Sequence, residues 1–216
     1  APVQNIGAYG TELKDVFISC EVFDQNNYSI KKYRIEDCCF DYRNSIFKSH
    51  KNLIILSIKL KLKNENHKIN SSYGGVNDEL KKLGIINPTI KDVSKAICNI
   101  RKRKLPDPNK IGNAGSFFKN PIIGLEKLEQ IKNNFIDIPS FKIDNDKFKI
   151  PAAWLIEKAG FKGKHFGKFG VHKSQPLVLV NYNNASGKDI FKLSLSIKDI
   201  VNKIFQIELE TEVNII

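Results

Sequence analysis

Methionine is absent from the 216 residues of the chain, and tryptophan occurs once, as Trp154. No apolar run approaches the roughly 18 residues that a membrane-spanning helix requires, and no basic-then-apolar signal pattern opens the sequence. A cytoplasmic protein with no membrane partner is expected. Cysteine is scarce, and Cys20, Cys38, Cys39 and Cys98 include no C-x-x-C pair of the zinc or redox kind. They read as small apolar residues kept reduced. His50, His67, His165 and His172 lack ligand spacing, so no metal site is expected. Because the sequence starts at Ala1 inside a motif-like stretch and without a methionine, a further segment is expected before it.

Arginine is rare too. Arg34, Arg43, Arg101 and Arg103 stand among 35 basic side chains, against 23 acidic ones, for a net charge of +12. Such a surplus can mean a nucleic-acid partner, but the lysines are spread along the chain and no base-reading module accompanies them. The one basic cluster, Arg101 to Lys104, closes an expected helix, where cations favour the dipole. No nucleic-acid partner is expected; a pyrophosphate-containing ligand would suit the same surface. Hydrophobic residues make up 41%, enough for one large or two modest domains with cores of their own.

Residues 12–23 and 52–62 read as strands. In the second, Ile54, Leu56, Ile58, Leu60 and Leu62 alternate with side chains that become polar. Lys63 to Asn77 is rich in lysine and asparagine and holds Gly74-Gly75, a composition that suits a connection between domains. Thr89 to Arg103 reads as a helix, with Thr89 and Asp92 as a capping box and Val93, Ala96, Ile97 and Ile100 on one face. Leu-Pro-Asp-Pro at 105–108 ends it, a glycine-containing loop follows, and Leu125, Leu128 and Ile131 mark a short helix. Pro151 to Ala159 is a helix closed by Gly160. Gly163, Gly167 and Gly170 open a loop into a buried strand, Pro176 to Val180. Ser186 and Asp189 cap a helix with Ile190, Leu193, Ile197, Ile200, Val201 and Ile204 inward. The last segment alternates, Ile207, Leu209, Val213 and Ile215 inward and Glu208, Glu210 and Glu212 outward. Strands at both ends with helices between them read as α+β.

Four segments carry residue types suited to chemistry. In Pro2 to Gly10, small residues and two glycines interrupt an apolar stretch, which suits either a close backbone approach to a ligand or an ordinary turn. In Phe40 to Lys48, aromatic, arginine, hydroxyl and lysine side chains are interleaved; the Arg43 fork suits a carboxylate or phosphate, and a solvated loop is the plain alternative. In Gly112 to Pro121, Ser116 lies between Gly115 and Phe117-Phe118. Its hydroxyl could give a proton or attack, but Phe118 breaks the G-x-S-x-G elbow and no histidine base stands beside it. Glu210 and Glu212 share one face of the terminal strand, where exposed carboxylates are ordinarily just solvated.

Together these segments resemble the UDP-N-acetylenolpyruvoylglucosamine reductase family. The resemblance is carried by Ala-Pro-Val-Gln-Asn-Ile-Gly-Ala-Tyr-Gly (1–10), Tyr-Arg-Asn-Ser-Ile-Phe-Lys (42–48) and Lys-Leu-Pro-Asp-Pro (104–108). Gly-Asn-Ala-Gly-Ser-Phe-Phe-Lys-Asn-Pro (112–121), Trp-Leu-Ile-Glu (154–157) and Leu-Glu-Thr-Glu-Val (209–213) complete it, in the family's order. It implies a flavoenzyme that uses FAD, with NADPH as co-substrate, to reduce UDP-N-acetylglucosamine enolpyruvate to UDP-N-acetylmuramate. The implied fold is α+β, with residues 1–66 as the end of a PCMH/vanillyl-alcohol-oxidase-type FAD-binding domain and 67–216 as the substrate-binding domain. A monomer is implied.

By the same resemblance Arg43, Ser116 and Glu212 are catalytic, and Tyr73, Lys104 and Asn120 bind substrate. Gln4, Asn5, Ile6, Gly7, Ala8, Tyr9, Gly10 and Tyr42 contact the cofactor. Hydride reaches C3 of the enolpyruvyl group, charge spreads into the carboxylate, Arg43 clamps it, and Ser116 gives a proton to C2. Glu212 can share the carboxylate's oxygens only if it keeps or shares a proton. The family's glycine-rich phosphate-binding segment is absent from these residues. An oxidase of the same flavoprotein superfamily fits less well, because of the Ser116 and Glu212 motifs, and a nucleic-acid-binding protein has charge alone in its favour.

Overall fold

Phe17, Cys20 and Val22 fall on one side of an extended run with Glu21 on the other, and this run becomes the centre of a sheet. A computed structural model describes residues 2–215, and the chain divides into two compact units, Ala1–Ile100 and Arg101–Ile216. In the first, a two-residue hairpin of β1 (Gly7–Ala8) and β2 (Thr11–Glu12) precedes β3 (Phe17–Asp24), β4 (Ser29–Arg34) and β5 (Leu53–Leu60). The three longer strands form one antiparallel sheet in the order β4-β3-β5. Asn26 and Ser29 donate their backbone N–H groups to Asp24 and Asn27, so side-chain oxygens close the turn between β3 and β4.

The alternating apolar row expected of β5 is largely its exposed one: Ile54 is 44% and Leu56 53% exposed. Two irregularities in the β3–β5 pairing account for this. Ile55 lies opposite Val22 and Ile58 opposite Cys20, so residues of different parity pair with the buried positions of β3, yet Ile55 packs on the core while Ile58 stays 39% exposed. Leu53 and Ile55 pack on the cluster of Val3, Leu13, Phe17, Cys20, Val22 and Cys38.

After an irregular stretch, α1 (Val76–Lys82) and α2 (Ile90–Lys104) bury Val76, Leu80, Ala96 and Ile100 together. Thr89 caps α2 as its spacing predicts: Asp92 Oδ2 accepts from Thr89 N at 2.8 Å, and Thr89 Oγ1 accepts from Asp92 N. The expected division after residue 66 falls in the stretch between β5 and α1. No described helix is long and apolar enough to cross a membrane.

Cys20 and Cys38 are buried and hydrogen-bonded to each other, whereas Cys39 and Cys98 are exposed. Burial, reinforced by the neighbouring Cys20, pushes the Cys38 thiol up to about 12 from an ordinary 9.0. The folded state therefore keeps a proton that the unfolded chain loses, and stability should fall as pH rises through that window. Urea titrations between pH 8 and pH 11 should show a falling midpoint. A thiol reagent at pH 8 should modify Cys39 and Cys98 rapidly, and Cys20 and Cys38 only after unfolding.

The second unit builds β6 (Gly112–Ser116), β7 (Ile122–Gly124), α3 (Leu125–Lys132), β8 (Phe141–Lys142) and β9 (Lys147–Lys149). It continues with α4 (Ala152–Lys158), β10 (His165–Phe166), β11 (Phe169–Val171), β12 (Val178–Asn181) and α5 (Gly187–Phe205). Two antiparallel sheets result, β10-β11-β12-β6 and β7-β9-β8. The stretch expected to be a loop around Gly112 is thus the edge strand β6, hidden from sequence by its glycines. Helix α5 starts at the expected capping box, Ser186 and Asp189. Leu193, Ile197, Val201 and Phe205 bury along it, while Ile204, expected inward, is 43% exposed because Phe205 takes the core position.

The terminal segment carries its inward row only partly. Ile207 and Leu209 are buried, Val213 packs at the margin, and Ile215 is 46% exposed. Among the described residues it forms no regular strand; one isolated bridge, Phe118 to Thr211, ties it to the chain just beyond β6. The α+β class is as expected.

Candidate active site

In the first unit the site grows from Asn5, whose side chain is fully buried and makes three hydrogen bonds. Its Nδ2 donates to Glu12 Oε2 at 3.0 Å and to the Asp41 carbonyl at 3.1 Å, and its Oδ1 accepts from Lys14 N at 3.0 Å. A buried amide satisfied in this way fixes three separate chain segments to one another. Arg43 then returns to the same place. Its Nη1 donates to the Asn5 carbonyl at 3.3 Å, its Nη2 donates to the Gly7 carbonyl, and its guanidinium lies 5.3 Å from the Tyr42 ring centroid.

Asn5, Tyr9 and Arg43 all hold left-handed backbone, at φ 56°, 55° and 50°. Non-glycine residues in that region cost of order 1 kcal/mol each and gather at ligand-binding places. Gly7 explains its own identity. A Cβ there would lie 2.8 Å from Glu12 Cγ, 3.0 Å from Arg43 Nη1 and 3.1 Å from the Thr11 carbonyl. Gly7→Ala should therefore displace the Arg43 and Glu12 anchors, at about 1–3 kcal/mol. Chemical denaturation checks it, and an unchanged midpoint would show that the anchors yield freely.

Tyr73 joins the same cluster. Its ring meets that of Tyr9 edge-on, with centroids 6.4 Å apart, and a Cβ on Gly74 would touch Tyr9. The first-unit candidates thus converge on residues 4–10: Arg43 and Tyr42 on one part, Tyr73 on another. Ile6, Ala8 and Gly10 are exposed along this segment.

In the second unit, Ser116 ends β6 opposite Val178, directly after Gly115 at φ 74°. The β6–β12 pairing shifts register between Val178 and Val180, and the bulge turns the strand's end. Asn113 braces it, accepting from Gly115 N at 3.1 Å and donating to the Ile111 carbonyl at 2.9 Å. Ser116 is exposed. Beyond it the chain runs between two partners. Phe117 N donates to the Leu177 carbonyl at 2.8 Å on one side. On the other, Glu212 N donates to the Phe117 carbonyl and Lys119 N to the Glu210 carbonyl, both at 2.9 Å. The Ser116 strand and the Glu212 segment therefore lie side by side and antiparallel.

Lys119, unremarked in the sequence beyond its place in the motif, is buried and forms an ion pair with Glu210 Oε1 at 2.5 Å. Asn120 has a second use: its Oδ1 accepts from Ala152 N at 2.9 Å, the first residue of α4. Lys104 is exposed at the end of α2. Spacing does not single out Asn5, Glu12, Lys119 and Glu210 for these bonds. A polar residue inside an otherwise apolar or glycine-rich motif is the available signal.

Residues 107–216 match the family model described as UDP-N-acetylenolpyruvoylglucosamine reductase, C-terminal domain. The chain belongs to this family. Curated relatives called UDP-N-acetylenolpyruvoylglucosamine reductase match along the whole chain. One from Flavobacterium johnsoniae is 50% identical over 217 residues, covering 100% of this chain and 64% of the relative. Another, from Pseudomonas savastanoi pv. phaseolicola, is 46% identical and covers 100% and 63%. This chain thus spans less than two thirds of the length of these family members. A crystal structure of UDP-N-acetylenolpyruvylglucosamine reductase from Thermus caldophilus shares the fold, with a TM-score of 0.59 at 20% identity, over 99% of this chain and 58% of that one.

Proposed function

We propose that the protein to which this chain belongs reduces UDP-N-acetylglucosamine enolpyruvate to UDP-N-acetylmuramate, with FAD as cofactor and NADPH as co-substrate. The product is a peptidoglycan precursor. The observation that carries the reading is the antiparallel contact of the Ser116 strand with the Glu212 segment. It brings the backbone that carries Ser116, a hydroxyl proton donor, alongside the backbone that carries Glu212, from a distant part of the sequence. That arrangement suits giving a proton to a carbanion and does not suit activating a nucleophile.

The residues present fit a flavin. The Asn5 and Arg43 bonds hold segment 4–10 rigid while Ile6, Ala8 and Gly10 stay exposed, which suits a planar, partly apolar ring. Gln4 to Gly10 and Tyr42 would hold it, as part of a FAD-binding domain ending near residue 66. When bound, reduced FAD supplies the hydride that it takes from NADPH. The remaining work falls to this chain's side chains. Arg43 binds the substrate carboxylate and stabilises charge growing there. Ser116 gives its proton to C2. Glu212, holding or sharing a proton, hydrogen-bonds the carboxylate oxygens. Tyr73, Lys104 and Asn120 bind the diphosphate and sugar in residues 67–216, where Asn120 also anchors α4.

A cytoplasmic monomer with no nucleic-acid or membrane partner completes the reading. The test is NADPH oxidation by the full-length, FAD-loaded protein, followed by the loss of NADPH absorbance. Turnover dependent on the enolpyruvyl UDP-sugar is expected; a full-length protein that never retains FAD would overturn the reading.

A further inference from the structure

We propose that the Lys119–Glu210 ion pair is a positioning device for proton transfer, fixing how the strand that carries Ser116 lies against the segment that carries Glu212. The inference rests on the function proposed above and adds two residues to it.

Three observations lead there. Lys119 is buried while the side chain of its partner Glu210 is 70% exposed. A buried ammonium requires a partner, whereas a carboxylate with access to water does not, and holding Glu210 in one rotamer costs side-chain entropy. The need therefore lies on the Lys119 side. Second, the same two residues are also joined through their backbones, Lys119 N to the Glu210 carbonyl, and the Glu212 N to Phe117 carbonyl bond follows two residues on. The side-chain pair thus sits directly beside the bridge between Phe118 and Thr211. Third, this tie is the terminal segment's isolated bridge and not part of a ladder. A lone bridge has no neighbouring strand pairs to keep its register.

Ser116 is exposed, so its placement is set by the strand that carries it and not by its own packing. The ion pair is three residues from Ser116 and two from Glu212, on neither of the reacting groups. Its effect should appear where alignment matters most, in the step that moves the proton. A misplacement of about 1 Å there costs on the order of 100-fold.

Glu210→Gln removes the charge while keeping the shape and an amide oxygen that can still accept from Lys119, so the fold should be kept with some loss of stability. In the full-length, FAD-loaded protein, stopped-flow separates reduction of FAD by NADPH from its reoxidation by the enolpyruvyl UDP-sugar. Reoxidation should slow by about 10- to 100-fold, with reduction by NADPH within twofold and KM for the sugar little changed. Glu210→Asp, which keeps the charge, should recover most of the rate. Lys119→Met should reproduce the Gln effect with little loss of thermal stability, because it removes the buried ammonium and leaves only an exposed carboxylate. Reoxidation within twofold of wild type in Glu210→Gln would overturn the inference, and so would an equal loss in both half-reactions, which marks general disruption. Wild-type protein lacking sugar-dependent turnover would instead overturn the functional reading, and the inference with it.

Discussion

Ser116→Ala in the full-length, FAD-loaded protein should leave FAD reduction by NADPH at its wild-type rate and slow reoxidation by the enolpyruvyl UDP-sugar by about 10²–10⁴-fold, the usual contribution of a positioned proton donor. The split follows from geometry. Ser116 lies at the bulged end of β6, against the Glu212 segment, and takes no part in the core. Its loss should cost little stability, because surface substitutions away from special features fall within about 0.5 kcal/mol. Ser116→Cys gives an informative contrast, since a thiol still carries a proton to donate. It should retain more reoxidation than alanine. Should alanine reoxidise as fast as wild type, the proton comes from elsewhere and the serine is a structural residue of the bulge.

That bulge also shows where sequence reasoning succeeds and where it stops. Helix ends are written in adjacent residues, so Thr89 with Asp92 and Ser186 with Asp189 are legible from spacing and residue type alone. The α+β class follows from the same local signals. Strand β6 is hidden because Gly112-Asn113-Ala114-Gly115 has neither alternation nor β-branched residues; its pairing with β12 comes from a partner far along the chain. On β5 the alternation is real, but the buried row is that of Leu53 and Ile55, and two register shifts break the match between parity and side, so period alone mislabels Ile54 and Leu56. The candidate site divides in the same way. Arg43, Ser116 and Glu212 stand in compact motifs and are legible by resemblance. The ties that hold them are not, since Asn5 to Asp41 spans 36 residues and Lys119 to Glu210 spans 91.

Arg43→Lys should show what those ties accomplish. Lysine keeps the charge but not the planar fork, so it cannot hold the Asn5 and Gly7 carbonyls together as the two guanidinium nitrogens do. Arg43 also bears left-handed backbone that lysine would bear without the same compensation. Two effects are expected. Stability should fall by about 1–3 kcal/mol in urea titrations, because carbonyls in a half-buried setting lose their donors. Reoxidation by the enolpyruvyl UDP-sugar should slow by about 10²–10³-fold, the size seen when a preorganised donor to developing charge is lost. FAD reduction by NADPH should change far less, provided FAD stays bound. If stability falls while reoxidation holds at the wild-type rate, Arg43 is an anchor of segment 4–10 and does not bind the carboxylate. If reoxidation collapses at unchanged stability, the carbonyl bonds are dispensable and the fork serves the substrate alone. On the proposed function both losses are expected together, because the guanidinium that organises the 4–10 segment is also the group assigned to the carboxylate.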